Sequence, residues 1–490
     1  MSSTAPPTQH AGHATRQLAE FLATTRYDQL PPAIVDRATL TIADTIGVGL
    51  AGSQDATVQG LGGRLRPGNT ATVLATGLPR GADPVATAVA NSVQICSVEL
   101  DEGVPGGGHP ALHVLPAVLA MAEAHGHSGR ELIEAFVLGY EAHCRVQAAS
   151  RLHGEVYPHG NTGTLGTVVG LGRLRGWDGH AMARGLRLAA AFPVATSYAP
   201  CLSGASVASA LAAVSLPIAT MVVDMVESGL DGDERALEDS FGAILGHGFD
   251  SGVLVDQLGE DFALARNHLK FHAACGVIHP VLEAAAAALD GGPEPGRYPP
   301  FRGGPPQDPD TIDQVCVVAD PRAARLDYIA ADSPVAGKFS VQFSLATFLV
   351  RGELTPASYA TGILRDAGIR ALEQRIDVAT DPDLGPGGTS GDLARVEVRY
   401  RDGRTATGTC RGIFGRAGNP SSPEDARAKF MALSSPVLGE DAAQSLFLRI
   451  RDLAAWSTVG SLLRPDGDQA ATHTPPPVES NQGKDLSWKI

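Results

Sequence analysis

From about Arg16 to Leu264, apolar residues recur every three to four positions, the spacing of helices with one buried face. RQLAEFLATT, IVDRATLTIADTIGVGLAG, PVATAVANSVQICSVEL, LHVLPAVLAMAEAHG, SGRELIEAFVLGYEAHCRVQAA and GTLGTVVGLGRLRGW each predict a helix, most of them bounded by Gly or Pro. Ser128, with Glu131 three residues on, reads as a capping box. After about Lys270 the pattern changes. One more helix, GVIHPVLEAAAAALD, leads into the linker GGPEPGRYPPFRGGPPQDP, and then QVCVVAD, RIDVATD and ARVEVRYRDGRTATGTC alternate as strands. The last predicts a hairpin turned at Asp402-Gly403, and FSVQFSLATFLVRG and PASYATGILRDAG predict helices between the strands.

Helical spacing returns in PEDARAKFMALSS and EDAAQSLFLRIRDLAAW. The expected architecture is mainly α with an α+β lid. A helical domain over residues 1–265 resumes over 422–464, an α+β domain over 266–421 is inserted in it, and a polar, Pro-rich tail over 465–490 is disordered. A chain of 490 residues is too long for one ordinary core, which agrees with two domains.

Composition narrows the class. Hydrophobic residues make up 43% and charged residues 19%, the balance of a globular protein. The N-terminus has no basic-then-apolar arrangement, and Ala199 to Val223, although uncharged, is rich in Ser, Ala and Thr and is broken by Pro200 and Pro217. We expect a helix of the core there and no membrane span. Six scattered cysteines without a CxxC pair argue against a zinc site and a disulfide framework and for the cytoplasm. A formal net charge of −15 argues against nucleic acid and makes isolated basic residues in uncharged stretches informative.

Candidate chemistry begins at SVELDEGVPGGGHPALHVLPAVLA. Glu99, Asp101 and Glu102 end one helix, with no Lys or Arg nearby, and His109-Pro110 opens the next. Solvated charges and an ordinary cap are one account of them. Three carboxylates against a helix dipole, however, suit a site that needs an acid and a base. RLHGEVYPHGNTGTLGT adds Arg151, His153, Tyr157 and His159 ahead of a helix start able to receive an anion, although a capped surface loop explains each of them equally well. NHLKFHAACGVIHP places Lys270 and His272 at the domain boundary, where ligand sites tend to lie. The histidine pairs lack ligand spacing, and no phosphate-binding glycine motif stands in usable context, so neither metal nor cofactor is expected.

The chain resembles the MmgE/PrpD family, whose members dehydrate, decarboxylate or epimerise small carboxylic acids. DTIGVGLAG, ELDEG…GGHPALHVLPAVLA, GYEAHCRV, LEDSFG, the Lys270–His279 segment, GKFSVQFSLA and Lys429-Phe430 follow in family order over nearly the whole chain. The resemblance implies a discontinuous helical domain, a lid, a homodimer, no metal, and an active site between the domains. It carries over a catalytic set of Glu99, His109, Lys270 and His159, the last position being filled instead by Tyr157 if no shift is allowed. Asp101, Arg151, His153, Tyr157, Ser203 and His272 are the substrate-binding candidates. The family's SGTMxK-like segment reads SGASVA, which puts Ala208 where a lysine is usual, and Phe343 stands where a tyrosine is usual. A less positive, roomier site is therefore expected.

The implied function is a cofactor-independent lyase or isomerase that moves a proton next to a carboxylate. Glu99 and His109 face each other as base and acid, and neighbouring acids raise the base's pKa. Lys270 and His159 would neutralise the substrate carboxylate. Dehydration is preferred to epimerisation or decarboxylation. A repurposed member that binds without turnover is the rival account, favoured by Ala208 and Phe343.

Overall fold

The computed structural model describes residues 8–106, 108–289, 305–330, 332–385, 389–416 and 419–464. The tail and most of the Gly/Pro-rich linker lie outside the described residues. The fold is mainly helical, with a small α+β part toward the C-terminus. Helices Thr8–Thr24, Pro32–Gly52, Pro84–Ser97, Pro110–His125, Gly129–Ala149 and Thr162–Leu174 stand where the apolar spacing puts them. Gly179–Ala191 and Ser215–Glu227 complete the main helical layer. The Ser128–Glu131 capping box forms as read, with both reciprocal bonds present.

Thr162–Leu174 is the central helix, buried at every position from Thr162 to Arg173. It packs against Pro110–His125, Gly129–Ala149, Gly179–Ala191 and Ser215–Glu227. Its approach to Gly129–Ala149 is backbone to backbone. A Cβ on Gly139 would lie 2.6 Å from the Gly166 carbonyl oxygen, so any side chain there would push the two helices apart.

Three expectations need correction. Ala199–Val223 is not one helix: it breaks at Gly204, whose φ of +75° ends the short helix Ala199–Ser203, a 3-10 helix follows at Ser206–Ala210, and α-helix starts again at Ser215. The stretch Ser206–Glu227 is long and apolar enough to cross a membrane by composition, but half of its most apolar window is buried inside the protein. PASYATGILRDAG is broken likewise, because Asp366 accepts a bond from the Ile369 N–H and restarts the chain as helix Ala367–Glu373. The helical region also contains two small antiparallel pairs, Pro67–Thr72 with Arg80–Gly81 and Ser150–Leu152 with Gly246–Phe249, which its apolar spacing did not predict.

Beyond helix His279–Ala288 lies a four-stranded sheet in the order Ile376–Thr380, Ile312–Ala319, Ala394–Tyr400, Thr405–Cys410. The first pair is parallel and the other two antiparallel, the last being the hairpin read from the Asp402-Gly403 turn. Helix His279–Ala288 covers the two hairpin strands. The chain then returns: helices Pro423–Leu438 and Glu440–Arg451 both pack on Pro32–Gly52.

That return is locked by charge. Lys429 Nζ lies 2.7 Å from Asp44 Oδ1, and neither side chain is exposed at all. Burial pushes the Asp44 carboxyl up and the Lys429 ammonium down, and each partner opposes the other's shift. Removing one partner strands the other in a dry interior. Lys429→Met should therefore lower unfolding stability by roughly 3–5 kcal/mol, and adding Asp44→Leu should recover most of the loss. Denaturant unfolding of the single and double variants measures both. A double variant no better than the single one would show that the pair carries no such penalty.

Candidate active site

Helix Pro84–Ser97 starts on Asp83, which accepts from the Val85 and Ala86 N–H groups, and it ends at Val98. Glu99 follows with φ of +53°, a left-handed conformation uncommon for any residue but glycine. Interactions with the rest of the chain hold it there. Lys338 Nζ donates to the Ser97 carbonyl at 2.6 Å, Lys270 Nζ to Glu99 Oε1 at 3.0 Å, and Lys429 Nζ to the Leu100 carbonyl at 3.0 Å. All three lysines are buried. The segment that looked unpaired in sequence is thus matched by cations from far along the chain, and the Lys338 contact also satisfies the helix C-terminus.

Asp101 is the second carboxylate of the cluster. Its Oδ2 lies 2.8 Å from His109 Nδ1, and its Oδ1 is 3.7 Å from Lys270 Nζ. Burial alone would raise its pKa, but Lys270 and His109 outweigh burial and hold it below the ordinary carboxylate range. His109 Nδ1 also lies 2.7 Å from the Glu102 carbonyl oxygen. Both neighbours are acceptors, so Nδ1 carries the proton and Nε2 is the nitrogen left to work. Burial pulls the imidazole's pKa down, yet Asp101 lifts it net above its ordinary value. Gly108, with φ of +99°, brings the loop into this position, and a Cβ there would meet His143 Nε2 at 2.7 Å.

His109 stacks on His159 with ring centroids 5.0 Å apart, and His113 lies 5.6 Å from both His159 and His143. Burial, then neighbouring positive groups, hold His113, His143 and His159 well below the ordinary histidine range. Asp101 thus favours the charged form of His109, while burial favours the neutral form of the other three rings. Glu102 is fully buried. Its Oε2 accepts from the Tyr140 hydroxyl at 2.6 Å and its Oε1 from the Ala111 N–H at 2.8 Å, and burial raises its pKa to about 7.

Against this cluster lies a small pocket lined by Cys96, Ser97, Glu99, Tyr157, Cys201, Ala208, Ser209, Val335, Lys338 and Phe339. Glu99 is its link to Lys270. Tyr157 is its link to the histidines, with its ring 4.5 Å from that of His159.

The structure brings together Glu99, His109, Lys270, His159, Asp101 and Tyr157 and leaves out four other candidates. Arg151 and His153 are exposed near the Ser150–Leu152 strand, His153 beside His247. Ser203 is exposed at the end of its short helix, where the turn at Gly204 aims it away from the pocket lining. His272 is buried against His279, Phe348 and Glu283. Three roles change as well. The carboxylate facing His109 is Asp101, with Lys270 standing between it and Glu99. Lys270 neutralises the chain's own acids, and His159 is held neutral by burial, so neither offers a free positive charge to a substrate. The acid with the raised pKa is Glu102, and the main cause is desolvation.

Lys338, Lys429, Tyr140 and His143 stand in the motifs that carry the resemblance but were not among the site candidates, although a signal was present. The chain has five lysines, Lys270, Lys338, Lys429, Lys484 and Lys489, and the first three all reach residues 97–101. The last two lie outside the described residues. Lys338 also stands alone in an uncharged stretch, the very feature that marked Lys270.

A histidine oriented by a carboxylate at 2.8 Å, beside a small pocket, is an arrangement able to move a proton. The sequence comparisons agree. The MmgE/PrpD N-terminal domain model matches residues 16–250 and the MmgE/PrpD C-terminal domain model residues 272–453, so the chain belongs to the MmgE/PrpD family. It is 25% identical to cis-aconitate decarboxylase of Mus musculus over 92% of this chain and 93% of that protein. To the Homo sapiens cis-aconitate decarboxylase it is 24% identical, over 94% and 97%. The chain is an enzyme of the lyase type.

Glu102 generates a prediction of its own. A carboxyl whose pKa is raised by folding adds stability that is full below its ordinary value of 4.5 and is lost as pH rises through about 7. Glu102→Gln keeps an acceptor for Ala111 but cannot ionise. On going from pH 4.5 to pH 8, the variant should gain up to about 3 kcal/mol on the wild type, at about 1.4 kcal/mol per unit. Unfolding curves at the two pH values measure the gap, and an unchanged gap would place Glu102's folded pKa near its ordinary value.

Proposed function

We propose that the enzyme decarboxylates a small unsaturated carboxylic acid, with His109 as the acid that protonates the carbon from which carbon dioxide leaves. The observation that carries this is the state of the two candidate groups. His109 keeps its Nδ1 proton between Asp101 and the Glu102 carbonyl, and the Asp101 charge raises its pKa, which favours the protonated ring that can give up a proton from Nε2. Glu99 is tied to Lys270 at 3.0 Å, so its carboxylate is already engaged and not free to turn to a substrate. Dehydration and epimerisation both require a base that removes a proton from carbon. Decarboxylation requires an acid, and the cluster supplies one.

In the step itself, the bond between the carbon skeleton and the departing carboxylate breaks and carbon dioxide leaves. The electron pair stays on the skeleton and spreads over the double bond toward a remaining carboxyl group. The His109 Nε2 proton then forms the new C–H bond, and the imidazole recovers its proton from solvent. Asp101 keeps the ring in one orientation and stabilises its charged form, the part a carboxylate plays behind a catalytic histidine. The two named relatives also support decarboxylation, and cis-aconitate is the first substrate to try.

Turnover in heavy water should separate this reaction from its rivals. Each product molecule should carry one deuterium and appear with one carbon dioxide, while recovered substrate stays unlabelled. Deuterium in recovered substrate without gas release would mean that a base does the chemistry. His109→Ala should lower kcat by roughly 10²–10⁴ with an unchanged unfolding curve, the range of a lost general acid.

Asp101→Asn tests the pKa argument. Activity should fall as pH rises through the pKa of His109, and removing the Asp101 charge should move that fall to lower pH. A falling limb that stays in place would show that Asp101 does not set the proton's affinity.

A further inference from the structure

We infer that Glu102 is a positioning residue: its main chain and side chain together clamp the glycine loop ahead of helix Pro110–His125 and fix where the His109 ring stands. This rests on the proposed reaction only in taking His109 as the working group. The loop over residues 103–108 joins the carboxylates to His109 and holds four glycines, at 103, 106, 107 and 108. Such a segment has little stiffness of its own. Gly106 and Gly108 take φ of +92° and +99°, and across the loop the Val104 N–H reaches the Gly108 carbonyl at a long 3.4 Å. The firm contacts are at the base of the loop.

There the Glu102 carbonyl oxygen accepts from His109 Nδ1 at 2.7 Å, and Glu102 Oε1 accepts from the Ala111 N–H at 2.8 Å. One residue thus grips the chain at His109 and just beyond it. Its other oxygen accepts from the Tyr140 hydroxyl at 2.6 Å, which ties the grip to helix Gly129–Ala149. Beside it, Gly103 and His268 exchange two main-chain bonds, of 3.0 and 2.8 Å, two residues before Lys270. Glu102 and Tyr140 are both fully buried, and the two side-chain bonds of Glu102 come from neutral donors. An apolar side chain would fill that dry space at less cost, so the carboxyl is there for the bonds it makes. Asp101 sets the charge of the His109 ring, and Glu102 sets its place.

The test follows the His109 ring by NMR of protein labelled with nitrogen-15 histidine, its signals identified by their loss in His109→Ala. At pH 5.5, below the Glu102 pKa of about 7, the carboxyl is neutral and loss of charge plays no part. Glu102→Ala should move and broaden the Nδ1–H signal, because the ring then samples several positions. Glu102→Gln keeps an acceptor for Ala111 and a partner for Tyr140, and should hold the signal near its wild-type place. In turnover, Glu102→Ala should lower kcat by roughly ten- to hundred-fold with KM little changed, the scale of a misplaced catalytic group. Glu102→Gln should regain most of that loss. A signal unmoved in Glu102→Ala overturns the inference. So does a Glu102→Gln enzyme as slow as Glu102→Ala, which would make the carboxyl itself a reactant. Should Glu102→Ala fail to fold, Tyr140→Phe decides: it frees one Glu102 oxygen, and a His109 signal that stays in place overturns the inference too. The NMR signal needs no turnover, so the outcomes separate. A moved signal in a protein that releases no carbon dioxide from any acid refutes the reaction and leaves the clamp standing. Carbon dioxide release with an unmoved signal refutes the clamp alone.

Discussion

Five residues, Ser97 to Asp101, carry the constraint on which the rest of the site depends. Two carboxylates and two turned-out carbonyls are buried there at the end of a helix, where the backbone dipole disfavours negative charge. Without cations the segment would have to reach water or protonate. Three buried lysines, from the strand-like segment after Asn267, from helix Pro334–Phe339 and from the returning helix Pro423–Leu438, each take one of its acceptors. The α+β part and the return helix are thereby tied electrostatically to the end of helix Pro84–Ser97. Exposed ion pairs contribute little to such a link, but fully buried ones are costly to break, so the three contacts act as a specification of geometry.

The same low-dielectric surroundings sort the histidines. His109, His113, His143 and His159 lie within one cluster, yet only His109 has a carboxylate at 2.8 Å. Burial alone drives the other three toward the neutral form, and it would do the same to His109 were Asp101 elsewhere. Asp101 therefore favours a proton on one ring, and burial keeps the neighbouring rings from competing for it. That selectivity is what a site needs if it is to donate a proton to carbon, and a group of four equally charged imidazoles would repel one another.

Charge economy also explains the lysines. The chain uses arginine almost everywhere else: Lys and Arg total 38, and five of these are lysines. An ammonium on a flexible stem can be buried against a single carbonyl or carboxylate, whereas a guanidinium presents five donors that all need partners. At each of the three lysine positions the buried polar partners are few, and lysine fits that supply.

Much of the fold was legible in the sequence because helix and hairpin signals are local. The apolar spacing located the early helices, Ser128 and Glu131 marked a start, and Asp402-Gly403 marked the hairpin. Ala199–Val223 was misread because its break depends on one left-handed glycine within a run that otherwise favours helix. At the site, the residues themselves determined the acidic segment, His109 and Lys270, since their crowding had no local remedy. The tertiary structure decided their partners. Which carboxylate meets His109, which lysine meets Ser97, and which histidines lose their charge depend on distances between separate segments, in the case of Lys338 and Ser97 more than two hundred residues apart. Arg151, His153 and Ser203 sit beside residues of the candidate site in sequence, yet they lie exposed at a short strand and a turn. Neighbourhood along the chain settles composition and order, and burial in a shared interior settles charge.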